Sequence, residues 1–210
     1  AMANLTPIPS SLTDEQVLMC PDIMSTGFSG AENGQIRIGD TVAVFAQGPI
    51  GLCATAGAKL KGASEIFAID SIERRLEIST RLGATKTINF KSHDPVAVIM
   101  DATHGRGVDV AIEALGTQNT FESCMRVLRP GGILSSLGVY SGKLTLPLDA
   151  FAAGLGDYKV VTTLCPGGKE RMRRLLNVVA SGNVDLKPLV THRFKLDEIE
   201  KAYDLFANQR

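Results

Sequence analysis

Thr41-Val-Ala-Val-Phe45, then Ala46-Gln-Gly-Pro-Ile-Gly51, and further on Ile66-Phe-Ala-Ile69-Asp70 are the residues that decide the fold. The first is an apolar, β-branched run of strand length. The second is a glycine turn, and the small residues that follow it, from Leu52 to Leu60, read as a helix. The third is a second apolar run that ends on an acid. Strand, glycine turn, helix, strand and acid, in that order, make a dinucleotide-binding βαβ unit. Gly48 would let the backbone approach a pyrophosphate with no Cβ in the way. Gly51 would let the helix lie close to the strand, with Cys53, Ala54, Gly57 and Ala58 keeping its inner face small. Pro49 and Ile50 open the helix, whose free N–H groups and positive dipole end would face the phosphates. Asp70, about twenty residues past the turn, would accept hydrogen bonds from the adenosine ribose hydroxyls. The first glycine of G-x-G-x-x-G is replaced by Ala46. Alone, the hexapeptide also fits an ordinary tight connection from strand to helix; its surroundings decide for the dinucleotide.

At 210 residues the chain can bury one substantial core. Its 22 basic and 22 acidic residues cancel, with no long basic run, which excludes nucleic acid and an anionic membrane surface as partners. No run approaches the length of uninterrupted apolar sequence that spans a bilayer. Cys20, Cys53, Cys124 and Cys165 show no C-x-x-C pairing, and Cys53 and Cys124 fall on apolar helix faces. Buried free thiols in a reducing cytoplasm are expected, and no secretory leader is indicated.

The remainder of the chain alternates. Residues 1–36 read as an extended lead-in and a crossover helix. Thr13 is an N-cap with Asp14 and Glu15 in the first turn, and Val17, Met24 and Phe28 are apolar. The helix resets at Cys20-Pro21, restarts near Asp22 and ends at Asn33-Gly34. Residues 37–194 hold the sheet. After Asp70, the helix carrying Ile72, Leu76 and Leu82 stops at Gly83, and Thr87–Phe90 is a third strand. Asp94-Pro95 opens a helix with Val96, Ile99 and Met100 inward, and Val108–Ile112 is a fourth strand. Phe121, Cys124, Met125 and Leu128 share a helix face, Pro130-Gly-Gly132 resets the chain, and Ile133–Leu137 is a fifth strand. Lys159–Thr163 is a sixth, followed by a helix through Met172, Leu175, Leu176 and Val179. This spacing predicts an α/β, doubly wound, Rossmann-type parallel sheet in a single domain with an N-terminal crossover helix. Lys143–Leu148 is extended but contains Pro147, which suits a sheet edge and a contact between subunits. Residues 195–210 hold a closing helix, Asp197 to Asn208.

Gly48-Pro-Ile-Gly51, Arg129-Pro-Gly-Gly132, Leu137-Gly-Val139 and especially Leu164-Cys-Pro-Gly-Gly168 resemble the medium-chain dehydrogenase/reductase superfamily. The likeness is strongest to its zinc-dependent secondary-alcohol dehydrogenases. It covers nearly all of this chain but only part of a family member, so the chain resembles an excised cofactor domain whose catalytic domain lies elsewhere. The resemblance implies hydride transfer between a small alcohol and a nicotinamide, with zinc as Lewis acid on the alcohol oxygen. It further implies that Asp22 ligates the zinc and that Thr26, four residues later, touches the nicotinamide. By residues alone, Asp22 reads as a first-turn acid that favours the helix dipole; the resemblance reverses that weighting. Asp70 favours NAD over the phosphorylated cofactor, because a carboxylate repels a 2′-phosphate. Arg75 falls where the family places a basic residue on the adenosine ribose, whereas Arg74 reads as a solvated helix face. Leu137, Gly138 and Val139 would orient the carboxamide through their backbone, and Leu115 and Gly116 would lie under the adenosine and bridging region. A homo-oligomer formed through the cofactor domain is implied as well. His93, His104 and His192 are scattered, with no spacing that suits a metal.

Three other readings compete. One is another branch of the superfamily: a polyol, threonine or butanediol dehydrogenase, or a zinc-free quinone reductase. A methyltransferase also has a glycine turn and an acid after its second strand, but the Gly48-Pro-Ile-Gly51 helix start argues against it. The third is a non-catalytic nucleotide-binding module. The chain by itself is expected to bind cofactor without turning over alcohol.

Overall fold

β1 (Thr41–Phe45) lies at the centre of the sheet because its residues are buried on both faces. Val42 and Val44 point into one apolar layer, with Ile66, Val110, Ile112, Ala54 and Ala58. Ala43 and Phe45 point into the other, with Phe67, Ile69, Ile99, Phe121, Met125 and Leu134. The period of two along a strand makes this division. The structure is a computed structural model that describes residues 2–208.

β2 (Glu65–Asp70), β3 (Lys86–Asn89), β4 (Val108–Glu113), β5 (Leu128–Ser136) and β6 (Lys159–Thr162) complete one parallel sheet in the order β3-β2-β1-β4-β5-β6. The order reverses between β1 and β4, where such sheets open a crevice at their carboxyl ends. The helices are α1 (Asp14–Val17), α2 (Ser25–Asn33), α3 (Pro49–Leu60), α4 (Glu73–Leu82), α5 (Pro95–Ala102), α6 (Gln118–Val127), α7 (Lys169–Ala180) and α8 (Ile199–Ala207). The doubly wound α/β sheet is as expected. Local signals hold too: Asp94 caps α5 by accepting from the Val96 N–H at 2.9 Å, and Gly83 ends α4 with φ +119°.

Several expectations are corrected. The crossover helix does restart at Cys20-Pro21, after α1 ends at Val17, but it restarts as a π-helical turn, Cys20–Met24, with the Met24 N–H on the Met19 carbonyl at 2.7 Å. Pro21 is tolerated because it stands in the first turn, where an N–H has no partner to lose. Pro130-Gly-Gly132 is a bulge inside β5 rather than a break before it: the register shifts between Val108↔Leu128 and Val110↔Ile133. Leu128 therefore starts a strand instead of ending a helix. Lys143–Leu148 forms no strand among the described residues, and the sheet edges are β3 and β6. Thr145, inside the Lys143–Leu148 segment, is held by both ends of the Gln118 amide, at 2.8 and 2.9 Å. Of the four cysteines, all free, Cys165 is exposed. Burial pushes the thiols of Cys20 and Cys53 up to about 11 and about 12.

Candidate cofactor site

The turn after β1 departs from ordinary backbone at its first residue. Ala46, in place of the expected glycine, has φ +72°, in the left-handed region. A Cβ on Gly51 would overlap the Ala46 carbonyl, so the helix closes on the strand as its glycine requires. Gly48 differs. Its φ is −65°, and a Cβ there would meet nothing within 4 Å. The chain itself places no demand for glycine at that position; open space lies in front of it. The first α3 hydrogen bond runs from the Leu52 N–H to the Gly48 carbonyl at 2.9 Å. The N–H groups of Ile50 and Gly51 are thus left at the mouth of the helix.

Gln47, which the sequence reading passed over, locks this turn. Its fully buried amide donates to the Val44 carbonyl and accepts from Thr55 Oγ1, both at 3.0 Å. Its backbone N–H donates to Asp70 Oδ2 at 2.7 Å, which ties the glycine turn to the end of β2. The Asp70 Oδ1 accepts from the N–H groups of Ser71 (2.7 Å) and Ile72 (3.0 Å), and Arg75 stands 3.6 Å from Oδ2. Asp70 is 4% exposed, and that surface opens into a cleft of about 490 Å³ at the carboxyl edge of the sheet. Ala46, Arg75, Leu115, Asn119 and Ser123 share the lining. Asp22, Thr26, Gly48 and residues 137–139 lie outside it.

A second carboxylate, also unforeseen, organises the next two loops. Glu113, wholly buried at the end of β4, accepts from the N–H groups of Leu115 (2.9 Å) and Gly116 (2.8 Å) and from Thr120 Oγ1 (2.7 Å) through Oε1. Its Oε2 accepts from the Tyr140 hydroxyl at 2.7 Å. The signal was present: an acid directly after an apolar run, Val110-Ala-Ile112, as Asp70 follows Ile66–Ile69. Gly116, with φ +95°, packs on the backbone of Val139, so the loops after β4 and β5 touch. Leu137 is buried in the core, while the side chain of Val139 is exposed.

At the crossover, the Thr26 hydroxyl donates to Asp22 Oδ1 at 3.1 Å, so the two share one face. Gly27 lies so close to α3 that a Cβ would sit 2.5 Å from Cys53 Cβ and 2.6 Å from the Ile50 carbonyl. That crossing sets Thr26 beside the start of α3. Ser25 donates to the Pro166 carbonyl at 2.5 Å, and Arg171 spans Ser25 and Glu32, which docks the Cys165-Pro166 turn on the same helix. Among the described residues, no three His, Cys, Asp or Glu gather as a metal would need.

The profile of one family, described as zinc-binding dehydrogenase, matches residues 49–181. The chain belongs to that family. An alcohol dehydrogenase of Cupriavidus necator is 71% identical over 100% of this chain and 57% of its own length. An NADP-dependent isopropanol dehydrogenase of Thermoanaerobacter brockii is 38% identical over 98% of the chain and 59% of its own length. The solved structure of an alcohol dehydrogenase from Thermus sp. ATN1 superposes with a TM-score of 0.89 at 34% identity, covering 99% of this chain and 59% of that one. The chain therefore spans less than two thirds of the length of these relatives. No helix among the described residues is long and apolar enough to cross a membrane.

Proposed function

We propose that this chain is the NAD-binding domain of a zinc-dependent dehydrogenase that interconverts secondary alcohols with ketones or aldehydes by hydride transfer. The observation that carries the reading is the pairing of an open Gly48 with a buried Asp70 anchored to the same turn through Gln47. The first leaves room for a pyrophosphate, and the second presents a carboxylate where a ribose would lie. Leu115 and Gly116 after β4, and Leu137, Gly138 and Val139 after β5, would receive the remainder of the cofactor at the carboxyl edge. NAD is favoured because a 2′-phosphate in the cleft would meet the Asp70 carboxylate. Arg75 offsets that charge only partly at 3.6 Å.

Asp22 suits one position in a zinc site. Its carboxylate is exposed, and Thr26 orients one oxygen and leaves the other open. The other ligands would come from residues outside this chain, whose own donors do not complete a set. A zinc bound there supplies Lewis-acid polarisation of the alcohol oxygen. The chain's own task is to hold the nicotinamide close and dry beside that centre. A cytoplasmic setting is part of the reading, supported by four free thiols. So is a homo-oligomer, supported by the open edge at β6 and by Leu146 and Leu148 exposed in the neighbouring segment.

Titration of the chain with NADH and NADPH, followed by nucleotide fluorescence, tests the cofactor reading. NADH should bind more tightly, and Asp70→Ala should weaken it about tenfold or more. Preference for NADPH would reverse the assignment, and binding of neither would remove it.

A further inference from the structure

We propose that Glu113 is a positioning residue that fixes the loops after β4 and β5 as one platform and so sets the nicotinamide half of the cofactor site. The inference rests on the cofactor reading above. Its grounds are the four donors on one buried side chain. Two are backbone N–H groups of the first loop, Leu115 and Gly116; the third is Thr120 at the start of α6; the fourth, the Tyr140 hydroxyl, belongs to the second loop. Each donor faces the carboxyl at 2.7–2.9 Å, three converging on Oε1 and the Tyr140 hydroxyl on Oε2.

The two loops are shaped to this side chain. A Cβ on Gly138 would overlap Glu113 Oε2 and the Gly116 backbone, and a Cβ on Gly116 would sit 2.8 Å from the Val139 nitrogen. Only bare backbone fits between them. Tyr140 is itself held: Ser136 Oγ lies 2.8 Å from its hydroxyl, and its ring meets Phe121 edge-on at 5.9 Å. Burial, together with the Glu113 carboxylate, raises the Tyr140 pKa, so the hydroxyl keeps the proton that it donates. Movement of residues 137–139 is thereby coupled to residues 114–117 through one carboxylate. The Asp70 end of the cleft has its own, separate anchor in Gln47.

Tyr140→Phe isolates the coupling. It removes the hydroxyl and keeps the ring packing, so the fold should persist. Two ligands separate the halves of the site: ADP reports the adenosine end, and NADH reports both. In Tyr140→Phe, NADH should bind about tenfold more weakly, with ADP binding changed less than about twofold. Glu113→Gln keeps one acceptor oxygen for Leu115 and Gly116 and turns an amide toward Tyr140, which can then accept. It should fall between the wild type and Tyr140→Phe, and the double variant should lose no more than Tyr140→Phe alone. Amide exchange of the ligand-free chain should quicken together at residues 114–117 and 137–140 in Tyr140→Phe. Equal weakening of ADP and NADH, unchanged NADH binding, or unchanged exchange would overturn the proposal. Failure of the wild type to bind either ligand would instead overturn the cofactor reading, and this inference with it.

Discussion

Asp70 and Glu113 both close an apolar strand on the same edge of the sheet, yet they serve different customers. Phe45 of β1 pairs with Ile69 on one side and with Glu113 on the other, so Glu113 stands one row deeper than Asp70. That row decides exposure. Asp70 reaches the cleft at 4% exposure, whereas Glu113 has none. Both take the N–H groups of the loop that follows, but Glu113 spends its remaining capacity on Thr120 and Tyr140, inside the chain. Asp70 keeps a face toward the cleft. A carboxylate at a strand end can thus organise a loop or face a cleft, and one step of register separates the two placements.

The largest effect that would break this comparison is in stability. Glu113→Ala strands the Leu115 and Gly116 N–H groups, takes the shared acceptor from the Thr120 and Tyr140 hydroxyls, and should cost about 3–5 kcal/mol. Asp70→Ala leaves only the Gln47 N–H deeply buried and should cost about 1–3 kcal/mol, with its main loss in nucleotide binding. Urea denaturation of both variants would rank them; a costlier Asp70→Ala would refute the division of roles. A third carboxylate, Asp109 at the opposite edge of the sheet, sharpens it. Burial opposes its ionisation, but hydrogen bonds from Arg106, Arg129 and the Thr41 N–H outweigh that and hold its pKa at about 2. The folded value lies below the ordinary 3.8. Its stabilisation is therefore complete above that value and is lost as pH falls toward 2, about 1–2 kcal/mol in all. Asp109→Asn should flatten stability between pH 4 and pH 2 in acid titrations, with nucleotide affinity at neutral pH untouched. The smallest effect concerns Ala46. Its left-handed backbone favours glycine, so Ala46→Gly should raise stability by up to about 1 kcal/mol in the same denaturation assay.

What was legible in the sequence was what depends on neighbours along the chain. The strands from Thr41 to Phe45 and around Ile66, the glycine turn, the Asp94 cap and the Gly83 stop each rest on local periodicity or local backbone, and the structure keeps them. Of the residues assigned to a cofactor, Asp70, Arg75 and Leu115 line one cleft, whereas Gly48, Gly116 and residues 137–139 lie outside it. Gln47 and Glu113 were not found, because their partners, Thr55, Asp70, Thr120 and Tyr140, become neighbours only through tertiary packing. Lys143–Leu148 looked like an edge strand from its extended, half-apolar run with Pro147, but a local run cannot say whether a partner strand is within reach. The π-turn at Cys20–Met24 was hidden for a related reason. Pro21 marks the restart of the helix, but nothing local shows that the new turn closes with a bond five residues back, from the Met24 N–H to the Met19 carbonyl.

The most direct test of the central claim is a map of backbone amide chemical shifts in the chain as NADH is added. The account predicts movement at Gly48, Ile50, Gly51 and Asp70, at Leu115 and Gly116, and at residues 137–139, with Asp109 and Arg129 at the far edge of the sheet unmoved. Shifts concentrated at the Asp109 edge, or none at the glycine turn at saturating NADH, would contradict it.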